Sequence, residues 1–124
     1  MLHLTIVKGN IMRDTEEFSK MDPFIVVTYN GEKYRTNTCE EGGMTPHWNS
    51  VLNIPIISPK TDSIHIQCLE EDLTTDDYIG SADVPIKHIW NYTGVKGKGT
   101  EVIELYHDNE VSAEITIESK VVPI

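Results

Sequence analysis

Two stretches of this chain crowd carboxylates together. Residues 13–22 hold Asp14, Glu16, Glu17 and Asp22 against Arg13 and Lys20, a net of −2, and residues 70–77 hold Glu70, Glu71, Asp72, Asp76 and Asp77, a net of −5. Like charges this close repel one another and cost stability unless a cation neutralises them. Clustered hard oxygens suit Ca²⁺, which takes six to eight of them at about 2.3–2.6 Å, better than Mg²⁺ with its strict octahedral geometry. The plain alternative is a pair of solvated acidic turns. The run after Asp72 lacks the alternating ligands and central Gly of an EF-hand, so that motif is excluded.

Other chemistry is sparse. His3, His47, His65, His88 and His107 are scattered, and none stands beside a cysteine pair, which leaves no zinc pattern. Cys39 and Cys68 are too few for a disulfide framework and are expected as packed thiols. There is no nucleophile with a base beside it, no phosphate loop and no convergent histidine, so an enzyme is not expected.

The whole-chain numbers narrow the classes further. With 124 residues the chain is of single-domain size, and one domain over 1–124 is expected. Its formal charge of −10 opposes nucleic-acid binding, which rests on Lys and Arg neutralising phosphate, and opposes constitutive adsorption to anionic lipid. The longest apolar run, near Phe24 to Val27, is far short of the ~20 residues that span a bilayer. Met1-Leu2-His3-Leu4 leads straight into a strand-like alternation without the pattern of a secretory leader, so a cytoplasmic address is expected.

What must position the acidic stretches is a set of strands. Period-two alternation recurs and helical periodicity does not, giving an all-β class. Leu2, Leu4 and Ile6 alternate up to Gly9-Asn10; Phe24 to Tyr29 is a β-branched run ending in the hairpin signal Asn30-Gly31; Lys33 to Thr38 returns. Trp48 to Ile57 reads as a strand that Pro55 restricts to a sheet edge or a bulge. Ser63 to Leu69 is the cleanest alternation, with Ile64, Ile66 and Cys68 on one face. Tyr78 to Ile86, Val102 to Leu105 and Ala113 to Glu118 complete eight strands at sandwich spacing, with a short helical turn near Ile86 to Trp90.

The order of Leu4 to Asn10, Asp22-Pro23-Phe24-Ile25-Val26-Val27, Arg35-Thr36, Thr45-Pro46-His47-Trp48-Asn49 and Asp76-Asp77-Tyr78-Ile79-Gly80 resembles a C2 domain, across essentially the whole chain. The resemblance implies an eight-stranded antiparallel β-sandwich whose loops at one end bind Ca²⁺ through carboxylates and then dock on phospholipid. The first strand starts at Leu2, so the expected arrangement is the family's type II, with Val111 to Lys120 as the eighth strand.

Carried over residue by residue, the resemblance implies Asp77 as the third acidic ligand of the second loop. Counting back at the familiar spacing lands on Leu69, but strand parity moves the first ligand to Glu70, in line with Ile64, Ile66 and Cys68, with Asp72 as its partner and Asp76 as an alternate. In the first loop Asp22 takes the Asp-Pro-aromatic position, and its partner is Asp14, with Glu16 as the alternate. Leu73, Phe18 and Met21 are the apolar residues expected to enter a membrane, and Lys33, Arg35, Lys96 and Lys98 are the cations available to headgroups. The expected function is Ca²⁺-dependent binding of anionic phospholipid, peripheral and triggered by a calcium rise. The alternative is a calcium-independent C2-like domain that binds a protein partner, favoured by Glu70 in place of Asp and by the lengthened first loop.

Overall fold

The alternation read from the sequence produces strands throughout. The structure, a computed structural model, describes residues 1–13, 20–90 and 99–122. In it lie β1 (Leu2–Ile11), β2 (Pro23–Tyr29), β3 (Glu32–Arg35), β4 (His47–Ile54), β5 (Ser63–Glu70), β6 (Asp77–Pro85), β7 (Gly99–His107) and β8 (Glu110–Val121), with one turn of 3₁₀-helix at Ile86–His88. They run antiparallel in the order β3-β2-β5-β6-β7-β8-β1-β4. Ser81 with Tyr106 is the one register pair between β6 and β7, so the sheet folds at that seam into two four-stranded layers. The last strand sits between β7 and β1, the type II arrangement expected.

Inward rows from both layers close the core. Leu2, Leu4 and Ile6 of β1 meet Ile64, Ile66 and Cys68 of β5 within one buried cluster. Each fully buried aliphatic side chain contributes roughly 1.5–3 kcal/mol. Trp48 of β4 belongs to the same cluster, and its indole Nε1 donates to the Pro23 carbonyl at 2.9 Å, tying the edge of one layer to the start of β2 in the other.

Local chemistry sets the ends. Asn30 and Gly31 both take positive φ, 50° and 80°, as a two-residue primed turn requires, and Tyr29 pairs with Glu32 across it. The fourth strand stops at Ile54, before Pro55, rather than reaching Ile57, and it occupies a sheet edge. Several strands outrun their alternation, β1 and β7 among them. The first continues to Ile11 past an irregularity between Ile6 and Lys8, and the seventh extends from Gly99 to His107 because the ladder with β8 holds residues that do not alternate.

Antiparallel pairing brings the loops of interest to one end. The pairs Ile11 with Ala113, Pro23 with Glu70 and Glu70 with Asp77 place the close of β1, the start of β2, the close of β5 and the start of β6 together.

Candidate metal centre

The fifth strand carries its inward row to its last residue. Ile64, Ile66 and Cys68 are buried, and Glu70 follows them at 1 % exposure. Facing it, β6 contains a bulge. Cys68 pairs with Gly80 but Leu69 pairs with Tyr78, so Ile79 is the extra residue, and the slip sets Asp77 rather than Tyr78 opposite Glu70. Residues directly opposite share a face, so the bulge aims one carboxylate at the other. It also turns Tyr78 outward, where the ring packs on His107 with centroids 5.6 Å apart.

Gly80 makes the slip feasible. A Cβ there would stand 2.0 Å from the Ser112 hydroxyl, which donates to the Leu105 carbonyl at 3.3 Å. A side chain at this position would require the Ser112 hydroxyl to move.

Asp72 completes a group. One carboxylate oxygen from each of Glu70, Asp72 and Asp77 lies within 4.8 Å of the others. Asp72 is exposed, and its Oδ1 accepts the Leu73 amide at 2.6 Å; Asp77 is half-buried. Leu73 projects fully into solvent beside them. Asp76 is exposed. Arg13 donates through Nη1 to the Tyr78 carbonyl, placing a positive charge near the first residues of β6.

Asp22 adjoins the group through its backbone. Its carbonyl accepts the Glu71 amide at 3.0 Å, while its Oδ1 accepts the Glu41 amide at 2.6 Å. Asp14, Glu16 and Phe18 of the first loop lie outside the described residues, as do Lys96 and Lys98.

Met21 requires a correction. It was expected to face a membrane, but its side chain is fully buried in the core cluster, and its carbonyl accepts the Gly43 amide at 3.0 Å. Met21 lies two residues before β2, where backbone hydrogen bonds from Gly43 to Met21 and from Glu71 to Asp22 hold the chain against the sheet, and its side chain joins the core cluster. Met12 and Met44, both at this end and both partly exposed, were not anticipated, because neither falls in an alternating run. Their backbones are neighbours, since the Ile11 amide donates to the Met44 carbonyl at 2.7 Å.

Glu71 and Arg35 form a second connection that sequence reading missed. The guanidinium of Arg35 lies 3.7 Å over the Phe24 ring, and its Nη2 reaches Glu71 Oε2 at 3.1 Å and Thr38 Oγ1 at 2.8 Å. The Thr38 hydroxyl also donates to Glu71 Oε2, at 2.5 Å. That hydroxyl first, with help from Arg35, holds the Glu71 carboxyl below the usual carboxylate range against the opposing effect of desolvation. Lys33, two residues before Arg35 on β3, is exposed.

A family model described as "C2 domain" matches residues 1–101. The chain belongs to the C2 domain family. This C2 domain is 25% identical over 117 residues to 16 kDa phloem protein 2 of Arabidopsis thaliana, spanning 94% of the chain and 77% of that protein. It is 28% identical over 90 residues to Elicitor-responsive protein 1 of Oryza sativa subsp. japonica, spanning 68% of the chain and 57% of that protein. Among solved structures, a C2 domain of a plant extended synaptotagmin 1 superposes with a TM-score of 0.82 at 14% identity, over 95% of this chain and 90% of that one. The paired C2 domains of extended synaptotagmin 2, in their calcium-bound structure, give 0.78 at 15% identity, over 96% of this chain and 44% of that one. At those identities the two superpositions establish the fold. Among the described residues, no helix is long and apolar enough to cross a membrane.

Proposed function

We propose that this C2 domain, acting as one module over 1–124, is a calcium-dependent phospholipid-binding domain rather than an enzyme. The observation that carries the reading is the convergence of Glu70, Asp72 and Asp77. Two oxygens bound to one Ca²⁺ at about 2.3–2.6 Å stand no more than about 5 Å apart. The 4.8 Å span meets that limit, and all three donors are hard anionic oxygens.

Glu70, Asp72 and Asp77 are proposed as ligands from the loop between β5 and β6, with Asp76 as an alternate. Asp22 is proposed to join them from the start of β2, and Asp14, or its alternate Glu16, from the preceding loop. When bound, Ca²⁺ supplies positive charge and open coordination positions that suit lipid phosphate or carboxylate oxygens. Without it, this acidic end is repelled by the anionic cytoplasmic leaflet, so membrane docking is expected to be peripheral and to follow a calcium rise. Leu73 is the apolar anchor, fully exposed beside the ligands, and its burial in the interface is worth roughly 1.5–3 kcal/mol. Lys33 is proposed as a headgroup contact on β3, where Arg35 is already engaged by Glu71. The calcium-bound state of extended synaptotagmin 2, a neighbour in fold, supports the reading.

A second reading, a calcium-independent module for a protein partner, draws on Asp22, whose side chain is hydrogen-bonded to the Glu41 amide. Co-sedimentation with phosphatidylserine vesicles in Ca²⁺ and in chelator separates the two. Pelleting only with Ca²⁺ supports the first; equal pelleting, or none, in both conditions counts against it.

A further inference from the structure

Glu71 stands in sequence between two of the proposed ligands, Glu70 and Asp72, and its carboxylate has partners of its own on β3 and just after it. Its amide is held by the Asp22 carbonyl at 3.0 Å, and its carboxylate is held by Thr38 at 2.5 Å and by Arg35 at 3.1 Å. Arg35 is in turn seated on Phe24, whose ring is 2 % exposed. The chain from Phe24 through Arg35 to Glu71 therefore joins the start of β2, the end of β3 and the first residue after β5.

We propose that Arg35 is a positioning residue for the candidate calcium loop, acting through Glu71 and Thr38 to hold the segment that carries Glu70 and Asp72 against Asp22. The inference rests on the calcium reading above and adds to it how the site is kept assembled while its carboxylates repel one another. Three like charges in one place drive the loop outward. A strap fixed on a buried ring opposes that, so less ordering remains to be done when the cation arrives. Both partners of the ion pair are about half exposed, at 48% and 50%, so the pair adds little to global stability and its variants should fold.

The sign of the effect identifies the mechanism. Removing Arg35 makes the acidic end more negative, which by charge alone tightens a cation; loosening the loop weakens it. Calcium titration by calorimetry of Arg35→Gln, of Arg35→Gln combined with Glu71→Gln, and of Arg35→Lys reads this directly. Positioning predicts affinity about tenfold weaker in the first two, the size typical of losing an outer-shell support, with partial recovery in Arg35→Lys. Hydrogen exchange of the metal-free protein is the second readout: the Glu71 amide should exchange faster in Arg35→Gln. Weaker calcium binding with faster exchange supports the inference. Unchanged or tighter binding, or unchanged exchange, overturns it. A wild-type protein that takes no calcium would remove the metal reading, and the exchange result alone would then decide whether the strap exists.

Discussion

Glu70 and Asp77 face one another across the β5–β6 ladder because Ile79 is an extra residue in β6. A ladder without that bulge would set Tyr78 against Glu70 and turn Asp77 outward. The opposition of two carboxylates is unfavourable in itself, which yields the first prediction. In chelator, Asp77→Asn should be more stable than wild type by about 0.2–1 kcal/mol, the size of a cross-strand pair of like charges. Thermal melts check this, and a lower melting temperature for the variant would contradict it.

The bulge depends on a close approach. Gly80→Ala drives a Cβ to within 2.0 Å of the Ser112 hydroxyl, with the next contact, the Tyr106 carbonyl, at 3.3 Å. Overpacking of this kind costs about 1–3 kcal/mol. Combining Gly80→Ala with Ser112→Ala should restore part of the loss in urea denaturation. No recovery would show that the hydroxyl is not what excludes a side chain there.

Cys68 lies on the same inward row as Glu70, and burial pushes its thiol up to about 12. Cys39 is partly exposed. An aromatic disulfide reagent at pH 8 should therefore titrate one thiol in the native protein, Cys39, and the second only after unfolding. Rapid modification of both in the native state would contradict the placement of Cys68.

The Glu71 carboxyl is held below the usual carboxylate range by the Thr38 hydroxyl first and by Arg35 second. A lowered value in the folded state means that the contribution is fully present above the unfolded carboxylate range and is lost as pH falls through the folded value. Thr38→Val should move the Glu71 titration upward in carbon-detected NMR. The stability difference between this variant and wild type should be present at neutral pH and vanish in acid. A Glu71 titration that does not move would contradict the hydrogen bond.

Parity was enough to place Glu70 on the inward row. Extending the row Ile64, Ile66, Cys68 by two residues lands on a side chain that is buried and near Asp72 and Asp77. Asn30-Gly31 and Pro55 were legible for the same reason, since each acts on its own backbone: the turn takes positive φ, and β4 ends at Ile54. Met21 was misread because nothing local says which way a loop turns before it joins a strand; the core claimed the side chain. Arg35 and Glu71 read as independent surface charges until the register of Val26 with Arg35 and of Pro23 with Glu70 brought them to one end. Such a pairing of segments 36 residues apart depends on the assembled layers, and no local pattern encodes it.

The central claim is that Glu70, Asp72 and Asp77 hold calcium, and titration calorimetry of wild type beside Glu70→Gln tests it most directly. Wild type should give a saturable heat of Ca²⁺ binding, and Glu70→Gln should bind at least about tenfold more weakly while retaining a cooperative melt in chelator. Absence of a calcium heat in wild type, or the same affinity in both proteins, would contradict the claim.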